Sequence, residues 1–177
     1  MVAVTVMGYM TGSCGHGHAS TALQYASSEG HELIVRLLLE NGADVNVQGG
    51  EYDSTALQEA SRGGHDLIVR LLLENGAEVD AQDKDHSTAL QDASSNGHKS
   101  IVRLLLESGA DVNVRDEFYG TALRAASRGG HESIVRLLLE NGAIDEAYEI
   151  GGDSDHLPSE EDQEGDDDDR QEEDDTL

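Results

Sequence analysis

Four histidines, His31, His65, His98 and His131, are the side chains in this sequence best suited to proton transfer or metal ligation. They stand 34, 33 and 33 residues apart. Metal ligands must converge on one point, whereas residues one period apart form a ladder, so this repetition favours a structural role at a helix start. Cys14, His16 and His18 make a small thiol and imidazole cluster. Three ligands on a glycine-rich terminus, with no matched second pair, leave an incomplete zinc or copper site. Gly12 to Gly17 has the glycine spacing of a phosphate-binding loop, but His18 and Ala19 stand where Lys and Ser or Thr are required. Ser, His and Asp are plentiful, yet no nucleophile motif surrounds any Ser. The sequence therefore predicts no enzyme, no cofactor and no metal. Ser159, followed by Glu160, Glu161 and Asp162, resembles the site preferred by acidophilic casein-type kinases; phosphate there would add charge to an already acidic segment.

Composition narrows the partners. A formal charge of -26 repels phosphate backbones and anionic lipid, so neither nucleic acid nor membrane surface is an expected partner. Cys14 is the single cysteine and cannot form an intramolecular disulfide, which suits a reducing compartment, cytoplasmic or nuclear. No apolar run approaches the roughly 18 residues that span a bilayer. The opening M-V-A-V-T-V-M-G-Y-M lacks the basic start and small-residue cleavage site of a secretory signal. With no Trp and one Phe, any core must be built from Leu, Ile, Val and Ala.

The elements that position these residues are repeated. T-A-L begins at Thr21, Thr55, Thr88 and Thr121, and Gly-His falls at Gly30, Gly64, Gly97 and Gly130, followed each time by I-V-R-L-L-L-E. Each unit reads as two short helices. Thr55 can cap the first, with Gln58 reaching back to the Thr55 amide; Thr21 with Gln24 and Thr88 with Gln91 repeat this box. Ala56, Leu57 and Ala60 form a narrow apolar stripe, and Gly63 and Gly64 end the helix. The second helix begins near His65. Its Leu67, Ile68, Val69, Leu71, Leu72 and Leu73 leave little polar face, which predicts packing against neighbours on both sides. Helices this short are marginal alone, so unit must stack on unit. A-D-V-N-V-Q, A-E-V-D-A-Q-D and A-D-V-N-V-R-D supply the connecting turns.

These residues resemble the ankyrin repeat, whose pattern has T-P-L-H-x-A at the first helix, G-H at the turn and I-V-x-L-L-L-x-x-G-A-D-V-N through the second. The resemblance covers about Gly17 to Ala147. Ala22, Ala56, Ala89 and Ala122 replace the family's Pro, and Gln24, Gln58, Gln91 and Arg124 replace its His, so a Thr to Gln box stands in for the family's Thr to His bond. The A-L-Q-x-A-S variant with Q-G-G-E-Y resembles the long arrays of filamentous-fungal multidomain proteins. The resemblance implies an all-α solenoid of paired antiparallel helices with connecting turn loops. Its four repeats would span 17–49, 50–82, 83–115 and 116–148, after an N-terminal extension 1–16 and before a disordered acidic tail 149–177.

It further implies a non-catalytic scaffold that binds a protein partner on the concave surface of turn tips and first helices. The residues that vary there are Gln48, Glu51, Tyr52, Ser54 and Arg62, then Gln82, Lys84, Asp85 and Ser87, then Arg115, Glu117, Phe118, Arg124 and Arg128. Tyr52 and Phe118 are the aromatic anchors. Neither end of the array is obviously polar: Leu23, Ala26, Ile34, Leu37 and Leu38 at one end and Leu123, Ile134, Leu137 and Leu138 at the other would need cover. Residues 1–16 and Ile144 to Ile150 could fold over them, or the chain is part of a longer array; exposed ends would also let it self-associate. From Gly151 onward fourteen acidic residues face only Arg170, which is half the net charge and predicts a disordered segment. That tail could itself bind basic proteins such as histones, or rest transiently against Arg115, Arg124 and Arg128.

Overall fold

Side chains that satisfy backbone amides set where the first helices of the second, third and fourth pairs start, and glycines that turn left-handed set where helices stop. The computed structural model describes residues 22–116 and 120–144. Within them eight helices follow in pairs. The first pair is α1 (Ala22–Ser28) and α2 (Glu32–Glu40), and the second is α3 (Ala56–Gly63) and α4 (Asp66–Glu74). The third is α5 (Ala89–Ser95) and α6 (Lys99–Glu107), and the fourth is α7 (Ala122–Arg128) and α8 (Glu132–Glu140). No strand occurs among the described residues, only an isolated bridge between Gly49 and Ser54. The described residues are all-α, as the resemblance to the ankyrin repeat implies. Thr21, Cys14, His16, His18, Glu117, Phe118, Ser159, the extension 1–16 and the acidic tail 149–177 lie outside the described residues.

The capping box forms. The Thr55 hydroxyl accepts from the Gln58 amide at 3.3 Å, while Gln58 Oε1 accepts from the Thr55 amide at 2.7 Å. Gln91 Oε1 accepts from both the amide and the hydroxyl of Thr88, at 2.7 and 3.0 Å. In α7 the box is halved: Thr121 accepts from the Arg124 amide at 3.4 Å, and an Arg side chain has no acceptor to return. At the other end of each first helix a glycine takes the left-handed region, Gly64 at φ 78° for example, and the next amide bonds five residues back, His65 to Ala60 O at 3.0 Å. This Schellman turn recurs at His31, His98 and His131. It also closes every second helix, where Ala43, Ala77, Ala110 and Ala143 bond back to Leu38, Leu72, Leu105 and Leu138. One device, used twice per unit, converts a 33-residue period into antiparallel pairs.

The first helices stack in one row and the second helices in another. Leu57, Leu90, Val69, Val102, Leu72 and Leu105 are almost wholly withdrawn from solvent between successive pairs. Each unit therefore has no core of its own and shares one with its neighbours. The second helices are not apolar all round, contrary to the expectation from their composition. Leu67 is 63% exposed, and Leu71 is only partly buried, whereas Leu72 is fully buried. The reason is geometric: a second helix is flanked by two others and backed by its own first helix, which leaves its outermost side in water.

Candidate functional site

The connecting segments are hairpin turns, each closed by one backbone bond. Gly49 donates to Ser54 O at 3.2 Å, Asp83 to Ser87 O at 3.1 Å and Asp116 to Gly120 O at 3.0 Å. The extra residue of the first period falls in the first of these turns, where Gly49 and Gly50 absorb it. Asp53 and His86 occupy equivalent tip positions and both turn left-handed, at φ 52° and 62°, a conformation that non-glycine residues adopt mainly at such tips. In the second turn the Asp83 carboxylate holds the loop from inside, accepting from the amides of Asp85 at 3.0 Å and Ser87 at 2.9 Å. Asp116 does the same for Gly120 at 2.9 Å.

Neighbouring tips are tied together. The Lys84 amide donates to Tyr52 O at 3.0 Å, Lys84 Nζ donates to Glu51 O, and the same ammonium lies 4.6 Å from the centre of the Tyr52 ring. Gln48 Nε2 reaches Gln82 O at 2.7 Å. The tips connect to the first helices through Ser54, whose hydroxyl donates to Glu59 Oε1 at 2.6 Å. From Glu59 the charges run on: Arg62 Nη1 to Glu59 Oε1 at 3.2 Å, then Arg62 Nη2 to Asp92 Oδ2 at 3.1 Å, from one unit to the next. Burial pushes the Asp92 carboxyl up to about 7; the carboxylates of Asp83 and Glu59 add to this, and Arg62 only partly opposes it. Burial disfavours the Arg62 cation, but Asp92, Glu59 and Asp83 outweigh it and hold that guanidinium above its ordinary value.

The surface so formed differs in detail from the sequence expectation. Gln48, Glu51, Tyr52, Gln82, Lys84, Arg115, Arg124 and Arg128 have exposed side chains, with Arg62 and Asp85 partly so. Ser54 and Ser87 are instead buried: the first is spent on Glu59, and the second bonds Asp83 through its amide and Gln58 Nε2 through its carbonyl. Glu117 and Phe118 lie outside the described residues. Sequence reasoning missed Tyr25, Glu59 and Asp92. They occupy one repeat position, which reads Tyr, Glu, Asp and Ala between an invariant Leu-Gln or Leu-Arg and an invariant Ala, and that variability among fixed neighbours was the signal.

The histidine ladder is a set of locks between units. His65 Nε2 lies 2.9 Å from Ser28 O, His98 Nε2 3.2 Å from Arg62 O and His131 Nε2 3.1 Å from Ser95 O. A carbonyl only accepts, so Nε2 carries the proton in each bond. Each ring also lies on a glycine of the preceding unit: a Cβ on Gly30, Gly64 or Gly97 would come within 2.6 Å of the ring. The glutamines point the other way. Besides closing its box, Gln58 donates through Nε2 to Ser87 O at 2.7 Å, Gln91 to Gly120 O at 2.7 Å, and Gln24 to Val47 O at 3.0 Å and Ser54 O at 2.6 Å. Among the described residues no three His, Cys, Asp or Glu side chains gather to hold a metal ion, and no helix is long and apolar enough to cross a membrane.

Comparison with known families gives three matches: "Ankyrin repeats (many copies)" over residues 23–67, "Ankyrin repeats (3 copies)" over 48–116 and "Ankyrin repeat" over 120–147. No protein of curated function matches the chain. Ankyrin repeats generally mediate protein–protein interaction and are typically not catalysts. Its helix pairs, its tied turn tips and matches that run from residue 23 to residue 147 make this chain a member of the ankyrin-repeat family.

Proposed function

We propose that this chain is a non-catalytic scaffold whose turn tips and first helices bind a protein partner. The observation that supports this most directly is the pair formed by Tyr52 and Lys84. Tyr52 is 45% exposed, yet its ring is held by Lys84 and its carbonyl by the Lys84 amide. An exposed aromatic already fixed in place loses little entropy on binding, which is the property of an interface anchor. Tyr25, 62% exposed on α1, offers a second ring. A net charge of -26 favours a partner with a basic face, and the single Cys14 suits the cytoplasm or nucleus.

The test uses the full chain, the chain lacking residues 151–177 and the full chain with Tyr52→Ala as baits for partner capture, followed by affinity measurement. Binding through the tips survives the truncation and weakens by roughly 5- to 30-fold on Tyr52→Ala, the loss of about 1 to 2 kcal/mol typical of an aromatic anchor. Binding that disappears with the tail, is abolished by salt and ignores Tyr52 would instead make the acidic segment the active element.

A further inference from the structure

Among the described residues the interface between units occurs three times, and each of its two sides occurs once more with no described unit against it. On the forward side, Ile68, Ile101 and Ile134 are buried at 2%, 0% and 1% by the unit before them, whereas the equivalent Ile34 is 48% exposed and its neighbour Leu37 is 59% exposed. On the backward side, Val35, Val69 and Val102 are fully buried by the unit after them, whereas Val135 is only partly buried and Leu139 is exposed. A hollow of about 450 Å³ opens at that place, lined by Gly130, His131, Val135 and Leu139 among others.

The glycine and histidine lock is open at the same two places. Gly30, Gly64 and Gly97 each lie under the ring of the following unit, but no atom of the described residues approaches within 4 Å of the point where a Cβ on Gly130 would stand. His31, the one ladder histidine with no described unit before it, is exposed. The two open faces are thus the two halves of one interface whose geometry the chain already displays.

We propose that the α8 face of one copy receives the α2 face of a second copy, with the His31 ring seated over Gly130 and Ile34 and Leu37 packed against Val135 and Leu139. The occupant is specified by register, since the hollow has the lining that holds a histidine-led helix pair elsewhere in the chain. The contact is head-to-tail and leaves one open face at each end, so a third copy can add. Like charge opposes it: two chains of net charge -26 repel at low ionic strength, and the attraction is apolar. Association therefore strengthens with salt, the reverse of an ion-paired contact. The inference is independent of the partner-binding surface, since Tyr52 lies on a turn tip and on neither face; Tyr52→Ala should leave association unchanged.

Sedimentation velocity on the full chain tests it, over a range of protein concentrations and in low and high salt. The expected result is a series of species extending beyond a dimer as concentration rises, shifted to larger sizes by salt. Ile34→Glu with Leu37→Glu breaks one face and Leu139→Glu the other; all three side chains are exposed, and circular dichroism checks that helix is retained. Each variant alone should associate about tenfold or more weakly than the parent. Their equimolar mixture should form a dimer and nothing larger, because one intact face remains on each partner. A parent chain that stays monomeric throughout overturns the proposal. So does a variant that associates like the parent, or a mixture of folded variants that stays monomeric.

Discussion

Ser27, Ser61 and Ser94 occupy one repeat position, are fully buried, and make no hydrogen bond through their hydroxyls. An uncompensated hydroxyl in such a place costs about 1 to 3 kcal/mol, so Ser61→Ala should stabilise the fold by about 1 kcal/mol, read as a higher denaturant midpoint with an unchanged slope. Asp92 is a second residue whose environment works against it. Its carboxyl is raised from 3.8 to about 7, so between those values the folded chain holds a proton that the unfolded chain has released. Stability from this group is fully present at low pH and is lost as pH rises towards about 7. Asp92→Asn removes the titration, leaving Arg62 paired with Glu59. The variant should therefore lose less stability than the parent between about pH 5 and about pH 8, by more than the 1.4 kcal/mol that a tenfold change in equilibrium represents. Denaturant titrations at the two pH values measure it, and equal losses in both proteins would show that Asp92 does not titrate in that range.

Helix existence and order were legible in the sequence because their signals are local: Thr with Gln three residues on, glycine at each end, and a strict period. What local reading could not supply was the far end of each bond. The sequence shows Gln58 closing a box, but its Nε2 also crosses 29 residues to Ser87 O, a contact visible only once units are stacked. Gln58→Glu separates the two roles, keeping the acceptor for Thr55 and removing the donor for Ser87. It should cost about 1 to 3 kcal/mol or more in chemical denaturation, because the Ser87 carbonyl loses its donor and a carboxylate replaces an amide in a site withdrawn from solvent; an unchanged midpoint would show that Gln58 does not bridge the units. Likewise, composition could not tell which Leu of the L-L-L run is enclosed, because all three are apolar and only the direction of each side chain differs. Leu72→Ala should cost about 2 to 5 kcal/mol and the partly buried Leu71→Ala clearly less, a ranking that denaturant midpoints can check.

At the scale of the molecule, the candidate surface was half legible. The tips announce themselves by varying between repeats, and Tyr52 was visible as the exposed aromatic of a turn. The tie from Lys84 to Tyr52 and the run from Ser54 through Glu59 and Arg62 to Asp92 were not, since each link joins residues from different turns, helices or units. The same arrangement bears on how such a chain can change its length. Each of the two inner units holds the next by a glutamine, Gln58 or Gln91, and the previous by a histidine, His65 or His98, so the partners on both sides of one are interchangeable with those of the other. Excising residues 56–88 joins Thr55 to Ala89, restores a Thr to Gln box with Gln91, and sets His98 against Ser28 where His65 had been. That shortened chain should fold with the helical signal of three pairs and melt cooperatively. Removing ten residues fewer strands a glutamine from its carbonyl and a histidine from its glycine, and should leave the chain unfolded or aggregated by circular dichroism and light scattering. The gene for such a molecule is lengthened or shortened by recombination most readily in whole repeats, with a single extra residue taken up in a turn, as it is between Gly49 and Ser54.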